Sequence, residues 1–201
     1  MHIYDRLYGE FDLQEKPLID LMNSQTMKRL KGICQYGIPD PWWYFPNHSR
    51  FEHSVGVMLL LKIVNASLEE QVAGLLHDSS HRAFSHAYDW VFGEATTENL
   101  QDKDHSRFLT ENSELHQILS KYGFTTERIS RLENYGLLER STPDLCADRI
   151  DNALRDFQRW IDPSFVRPCI QSLKVHEETL VFDSRYIAKQ LSFGVLRLQE
   201  E

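Results

Sequence analysis

Apolar residues recur at helical spacing through most of this chain, and that pattern restricts the fold more than any other feature. The strongest stretch runs from Pro143 to Trp160, with a proline near its start and an apolar face formed by Leu145, Ile150, Leu154 and Phe157. Another helix is predicted at about 50–64. The next begins at Ser67, where Ser67 and Glu70 have the spacing of a capping box. The pattern therefore favours an all-α fold.

Further helices are predicted at 17–34, 102–111, 113–121, 125–133 and 163–173, and near the carboxyl terminus. Alternating apolar and polar residues predict one or two small β-hairpins, one in the first fifteen residues and one at 173–183. Pro41 and Pro46 predict a loop at 40–47. At 201 residues we expect a single domain over 1–201, with a core at about 15–160 and a C-terminal hairpin and helix at 161–201.

Charge and hydropathy narrow the function classes. The chain has 22 basic and 30 acidic residues, a formal net charge of −8, which argues against non-specific binding to nucleic acid or to an anionic membrane. The apolar runs are too short to span a bilayer and the amino terminus lacks a signal-peptide core, so we expect a cytoplasmic protein. An anionic substrate would have to meet a local group of cations.

Histidines are concentrated in one part of the chain: His48, His53, His77, His81 and His86. His77 and Asp78 end an apolar helix, and His81 follows His77 at a spacing that turns both in one direction. His53 lies on the preceding helix, and consecutive helices joined by a short connection are antiparallel neighbours. Nitrogen beside carboxylate oxygen suits manganese, iron, zinc, nickel or cobalt better than calcium or magnesium. The cluster therefore predicts a divalent-metal site.

A further acidic ligand is expected from the helix at 143–160. Its candidates are Asp144, Asp148, Asp151 and Asp156, and spacing alone does not choose among them. The alternative is a solvated helix face whose acids form ion pairs with Arg149 and Arg155.

Three collinear segments carry a resemblance to a known family: 50–57 (RFEHSVGV), 75–86 (LLHDSSHRAFSH) and 147–156 (ADRIDNALRD). They resemble the HD-domain metal-dependent phosphohydrolase superfamily, and within it the branch of dGTPase and related deoxynucleoside triphosphate triphosphohydrolases. Residues 29–37 (RLKGICQYG) and 48–50 also fit that branch. The resemblance extends from about residue 3 to residue 160 and implies a compact HD-domain helical bundle.

The resemblance implies a role for each matching residue. One divalent ion (Mn, Fe, Zn, Ni, Co or Mg) would be held by His53, His77, Asp78 and Asp148, which selects Asp148 among the four acids. Catalysis would involve Asp78, with His81 and His105 near the phosphates as proton donor or charge stabiliser. Substrate contacts would come from Arg50 and Arg149 at phosphate, from Gln35 and Asp156 at the sugar, and from His86 and Asn152 in the same cleft.

The function implied is divalent-metal-dependent hydrolysis of a nucleotide, with a (deoxy)nucleoside triphosphate cleaved to nucleoside and triphosphate as one form of it. Two alternatives stay open. Asn152 replaces an aromatic residue of the family pattern, which permits a phosphatase or phosphodiesterase with another phosphoester substrate. Ser106 follows His105 where the family has an acidic residue, which permits a catalytically weak nucleotide-binding regulatory module. The expected partner is a small phosphoester, and a homodimer is left open.

Overall fold

The computed structural model describes residues 1–38, 40–42, 47–84 and 100–200. The described part is mainly helical. In chain order the helices are α1 (Lys16–Asn23), α2 (Gln25–Arg29), α3 (Arg50–Ile63), α4 (Leu68–Leu76), α5 (Leu100–Glu111), α6 (Ser113–Lys121), α7 (Thr126–Ile129), α8 (Ala147–Asp156), α9 (Val166–Ser172) and α10 (Arg185–Glu200). Short 3₁₀ turns lie at Leu30–Gly32, Asp40–Trp42, Leu132–Asn134 and Pro163–Phe165, and α8 continues into a π-helical turn at Phe157–Ile161.

Two antiparallel hairpins complete the described structure. Strands β1 (His2–Asp5) and β2 (Gly9–Asp12) pair with Ile3 opposite Phe11, and β3 (Leu173–His176) and β4 (Thr179–Phe182) pair with Leu173 opposite Phe182. The predicted all-α class with one or two small hairpins is therefore confirmed. Among the helices that the structure describes, none has the length and apolar character needed to cross a bilayer.

Helix α3 lies at the centre of the core. Residues 53–61 of α3 are all buried, as expected for a helix that is apolar on nearly every face. Ser49 begins α3 with a capping box, in which its hydroxyl accepts from the Glu52 N–H and the Glu52 carboxylate accepts from the Ser49 N–H. Helices α4 and α8 both pack against α3. Gly74 allows the α3–α4 approach, because a Cβ there would lie 2.4 Å from Leu61 Cδ1.

The helix predicted from residue 143 begins at Ala147, so its predicted start was wrong by one turn. The first N–H groups of α8 are used by the preceding turn: Ala147 donates to the Leu137 carbonyl at 2.8 Å and Asp148 to the Leu138 carbonyl at 3.4 Å. These bonds fix the start of α8 through tertiary contacts that no local pattern reveals.

The predicted helix at 17–34 is also broken. Ser24 is extended, and its hydroxyl accepts from the Met27 N–H at 3.1 Å, which ends α1 and caps α2. The predicted helix at 125–133 contains α7 followed by the 3₁₀ turn Leu132–Asn134.

Candidate functional site

His53, His77 and Asp148 converge on one point although they come from three different elements. His53 lies in α3, His77 caps the end of α4, and Asp148 lies in the first turn of α8. One ligand atom from each residue lies within 4.8 Å of the others. His53 Nε2 is 2.8 Å from Asp148 Oδ1, and His77 Nε2 is 3.2 Å from His53 Nε2. These three residues are called the donor set below.

The second nitrogen of each imidazole is engaged on the side away from that point. His53 Nδ1 lies 2.7 Å from Asp151 Oδ2, and His77 Nδ1 lies 2.7 Å from the Gly74 carbonyl oxygen. Because both partners only accept hydrogen bonds, each Nδ1 carries the proton, and in the neutral imidazoles each Nε2 presents a lone pair. Two lone pairs facing each other at 3.2 Å repel unless a cation lies between them. The donor set therefore fits a divalent ion with nitrogen and oxygen ligands.

The electrostatics of the donor set agree with a cation there. Burial lowers the pKa of His77, but the Asp78 carboxylate and a hydrogen bond to Asp148 outweigh it and raise that pKa to about 9. Burial opposes ionisation of Asp148, but hydrogen bonds to His53 and His77 hold the pKa of its carboxyl well below the usual range. The carboxylates thus attract positive charge to the imidazoles, and a metal ion would take the place of the protons.

Asp78 lies beside the donor set and joins it to two further groups. Its carboxylate oxygens are 3.6 Å from His77 Nε2 and 3.8 Å from His53 Nε2. Arg50 Nη1 donates to Asp78 Oδ2 at 2.7 Å, and His81 Nε2 lies 3.1 Å from Asp78 Oδ1. Asp78, Arg50 and His81 are all buried. This carboxylate can complete a metal shell or orient His81 and Arg50. All three residues line the same cavity.

A cavity of about 780 Å³ opens from the donor set. Its volume lies in the range of small-molecule sites. Part of the lining consists of residues predicted from the sequence, namely Gln35, Arg50, His77, Asp78, His81, His105, Asp148 and Asn152. The rest of the lining, called the 130–144 wall, is formed by Ser130, Leu132, Glu133, Gly136, Glu139, Arg140, Ser141 and Asp144.

His105 of α5 lines the cavity in a buried position. Among the described residues neither of its ring nitrogens has a hydrogen-bond partner. Burial, followed by the nearby His77, lowers the pKa of His105 to about 4, so the ring is neutral at neutral pH. A buried imidazole with unsatisfied nitrogens beside a cavity is suited to contact a bound ligand.

The other sequence-predicted residues divide into two groups. Asn152 lines the cavity, receives a hydrogen bond from Gln35 Nε2 at 3.1 Å and donates to Asp148 Oδ1 at 3.1 Å. Arg149 is not among the cavity-lining residues, because it donates to the carbonyls of Asp144 and Arg140 and pairs with Glu139. Asp156 is also absent from the lining and accepts a hydrogen bond from the Tyr36 hydroxyl. His86 lies outside the described residues.

Sequence reasoning kept Asp151 only as one of four possible ligands, and the structure places it behind His53. Asp151 is fully buried and accepts hydrogen bonds from Arg155 Nε at 2.7 Å and from the Tyr8 hydroxyl at 2.9 Å, as well as facing His53 Nδ1. Arg155 Nη2 donates to Asp5 Oδ2 at 2.9 Å. The amino-terminal hairpin is thereby connected to a residue of the donor set.

Gly56 makes room for this buried network. It lies one turn after His53 on α3, and a Cβ there would be 2.2 Å from both Arg155 Nη2 and Asp151 Oδ1. Two features of the sequence could have indicated this network. One is the glycine one turn after a candidate ligand, and the other is the Asp151–Arg155 spacing of four residues, which favours an ion pair on one helix. Neither signal identified Tyr8 or Asp5.

Comparison with known proteins agrees with this geometry. The HD domain family matches residues 50–155, which include the donor set together with Arg50, Asp78, His81 and His105, and the chain belongs to this family. The resemblance stated from the sequence is therefore confirmed. A divalent-metal site is borne out by the family match and by the donor set.

Several curated proteins are similar over most of the chain. An uncharacterized protein, YdhJ, of Bacillus subtilis is 42% identical over 80% of this chain and 49% of its own length. A metal-dependent phosphohydrolase, cns2, of Cordyceps militaris is 39% identical over 77% of this chain and 44% of its own length. The Dictyostelium discoideum homolog of the deoxynucleoside triphosphate triphosphohydrolase SAMHD1 is 33% identical over 44% of this chain and 20% of its own length.

The fold has a solved counterpart. A hypothetical protein from Aquifex aeolicus superposes with a TM-score of 0.68 at 27% identity, covering 98% of this chain and 57% of that one. The chain thus spans about half the length of YdhJ, of cns2 and of the Aquifex aeolicus protein, and a fifth of the SAMHD1 homolog.

Proposed function

We propose that this chain forms the site of a divalent-metal-dependent phosphohydrolase that acts on a nucleotide. The observation that carries the proposal is the position of the donor set. Its two inward-facing imidazole nitrogens and its carboxylate lie at one end of a cavity that also holds Arg50, His81 and His105. The relative named as a metal-dependent phosphohydrolase supports the same reaction class.

His53, His77 and Asp148 would hold the ion, with Asp78 as the proposed fourth ligand. A bound divalent ion lowers the pKa of a coordinated water and polarises a phosphoryl oxygen. The chain's own residues contribute by their placement. Asp151 and the Gly74 carbonyl hold the Nδ1 protons of both imidazoles, so that each Nε2 is the nitrogen turned toward the metal position.

The proposed catalytic groups are Asp78, His81 and His105. Arg50, held by Asp78 at 2.7 Å, places a guanidinium beside the position of a phosphate and offsets its negative charge. His81, oriented by Asp78 at 3.1 Å, is the proposed proton donor to the departing oxygen. His105 is neutral at neutral pH and can donate one N–H to a phosphate oxygen, and a bound anion would raise its pKa.

A nucleotide is supported by the size and lining of the cavity. About 780 Å³ accommodates a ligand larger than inorganic phosphate, and Gln35 and Asn152 offer amide groups for hydroxyls. The resemblance assigns Arg149 to phosphate and Asp156 to the sugar. In the structure both side chains form hydrogen bonds with other residues of the chain. They would have to give up these partners to contact a substrate.

The test is a hydrolysis assay on the purified chain. The metal-free protein is supplied in turn with Mn²⁺, Fe²⁺, Zn²⁺, Ni²⁺, Co²⁺ or Mg²⁺ and incubated with ribo- and deoxyribonucleotides, and all phosphate-containing products are identified. We expect metal-dependent release of phosphate or of triphosphate. His81→Ala should reduce the rate by about 10²–10⁴-fold. His116→Ala, an exposed histidine on α6, serves as the matched control and should retain the rate.

Absence of product with every metal and nucleotide would overturn the proposal. The regulatory-module alternative predicts a different pattern, in which a nucleotide binds without turnover and His81→Ala leaves binding unchanged. It draws support from His105, which has no carboxylate partner among the described residues.

A further inference from the structure

The charge of the cavity lining restricts what the proposed enzyme can bind. Two guanidinium groups, those of Arg50 and Arg140, face the cavity, and the described lining contains no lysine. Five carboxylates face the same space, those of Asp78, Glu133, Glu139, Asp144 and Asp148. Negative charges therefore exceed positive ones by three, and a divalent ion would still leave one excess negative charge. A site that binds several phosphates normally presents the opposite balance.

The nearby arginines are already engaged with acids or carbonyls. Arg140 Nε lies 3.4 Å from Asp144 Oδ2, and Arg140 Nη1 donates to the Glu178 carbonyl at 3.1 Å. Arg149 Nη2 lies 3.1 Å from Glu139 Oε1. Recruitment of either guanidinium to a phosphate would take the arginine partner from a carboxylate of the 130–144 wall.

Two further arginines lie near the catalytic histidines. Arg29 donates to the carbonyls of His81 and Ser79 at 2.7 Å each and is not part of the cavity lining. The second is Arg82. It is half exposed, pairs with Asp104 at 3.2 Å and is not part of the cavity lining. The segments that the structure does not describe add little: residues 43–46 and 85–99 contain no lysine or arginine. Among residues whose side chains are not described, Lys103 is the single lysine or arginine. Lys103 is therefore the single further lysine or arginine that these residues could bring to the cavity.

We infer that the substrate is a phosphomonoester, with a single phosphate group at the donor set and a hydroxyl- or amine-bearing leaving group against the 130–144 wall. The inference rests on the proposed function and specifies its substrate class. A phosphomonoester carries about −1.5 to −2 charge at pH 7, so among phosphate esters it adds the least negative charge to this lining, with the divalent ion and Arg50 beside its one phosphate. A triphosphate adds two further phosphoryl groups to a lining that already holds Glu133, Glu139 and Asp144, whose carboxylates would repel them.

The reaction that follows is simple hydrolysis. The oxygen of water forms a bond to phosphorus while the bond from phosphorus to the ester oxygen breaks. The departing oxygen takes a proton, with His81 as the proposed donor, and the water loses one. The products are an alcohol and orthophosphate. The carboxylates of the 130–144 wall would accept hydrogen bonds from hydroxyls of the alcohol.

The experiment compares AMP and dAMP with ATP and dATP at one fixed concentration of free Mn²⁺, with p-nitrophenyl phosphate as a substrate that has no base. We expect kcat/KM for the monophosphates to exceed that for the triphosphates at least tenfold, with orthophosphate and nucleoside as products. Equal or better hydrolysis of triphosphates, or release of intact triphosphate, would overturn the inference and leave the proposed function standing. Hydrolysis of none of these compounds would refute the inference, and the proposed function would fall with it only if the full panel of metals and nucleotides also gave no product.

Charge variants test the cause of the preference. Glu133→Gln and Asp144→Asn each remove one negative charge from the 130–144 wall, and each should raise the ratio of triphosphate to monophosphate kcat/KM several-fold. Glu10→Gln makes the same change in charge at an exposed site on β2, outside the cavity lining, and should leave the ratio unchanged. A ratio that stays constant in all three variants would show that the wall charge does not select the substrate.

Discussion

Replacement of Asp151 by asparagine tests whether the buried network behind His53 maintains the metal site. Asp151→Asn keeps the size of the side chain and one oxygen acceptor but removes the negative charge. That charge faces His53 Nδ1 at 2.7 Å and Arg155 Nε at 2.7 Å. An asparagine NH₂ group placed toward either donor would repel it, so the imidazole of His53 loses its fixed orientation.

The expected loss can be estimated from the contacts. Loss of an outer partner of a ligating histidine lowers metal affinity about 10- to 100-fold, or about 1.4–2.7 kcal/mol. The folded state should also lose about 1–3 kcal/mol, which is below the 3–5 of a fully broken buried ion pair. The loss of stability is smaller than for a fully broken ion pair because Arg155 keeps its contact with Asp5 at 2.9 Å.

Isothermal titration of the metal-free protein with Mn²⁺ measures the affinity, and urea denaturation measures the stability. Asp156→Asn is the matched control: it makes the same substitution on α8, and its carboxylate contacts Tyr36 and not His53. Its metal affinity should stay within about twofold of the wild type. If Asp151→Asn binds metal as tightly as Asp156→Asn does, the positioning role of Asp151 is refuted.

Two further predictions concern stability. Glu70 Oε1 accepts from the N–H groups of Leu137 and Leu138 at 2.8 and 3.1 Å, so Glu70→Ala should lower the free energy of unfolding by about 2–4 kcal/mol. Glu70→Gln keeps an acceptor and should lose less, and equal losses in urea denaturation would contradict this account. Burial, followed by the charge of Arg155, lowers the pKa of His48 from 6.5 to about 3. Between pH 6.5 and pH 3 the imidazole of His48 is therefore protonated in the unfolded chain and neutral in the folded one. The free energy of unfolding thus falls as the pH drops below 6.5. His48→Leu should reduce that slope by up to about 1.4 kcal/mol per pH unit, and a thermal-unfolding series from pH 7 to pH 4 that shows the same slope in both proteins would refute it.

Much of the metal site follows from local sequence pattern. His53 and His77 lie on consecutive apolar helices joined by a short connection, so their antiparallel packing could be expected. The His77-Asp78 pair at the end of α4 and His81 shortly after it also share one side of the structure, as the spacing predicted. The positions of these residues follow from helix geometry, which the spacing of the apolar residues predicts.

The contribution of α8 could not be obtained in this way. Its four acids were equivalent in the sequence, and Asp148 was selected only by resemblance. The face that α8 turns to the site depends on the bond from the Ala147 N–H to the Leu137 carbonyl and on the close contact at Gly56. Both are long-range contacts, so helical spacing does not encode them. Tyr8 and Asp5 were missed for the same reason, since they are more than 140 residues from Asp151 and Arg155.

Arg149 shows where resemblance and structure diverge. The family pattern assigns it to phosphate, whereas here the carbonyls of Arg140 and Asp144 accept its hydrogen bonds. The Asp144 carbonyl is available because the helix begins only at Ala147, so that residues 143–146 are not helical. The division of the chain into one domain over 1–201 stays a prediction, as does a homodimer.

The central claim is that His53, His77 and Asp148 hold a divalent ion. The most direct measurement is equilibrium titration of the metal-free chain with Co²⁺, followed by visible absorption and by calorimetry. It is applied to the wild type, to His77→Ala, to Asp148→Asn and to the control His116→Ala. The account predicts one Co²⁺ per chain in the wild type and control, with at least tenfold weaker binding in the other two variants. Failure of the wild type to bind Co²⁺, or equal binding by all four proteins, would contradict it.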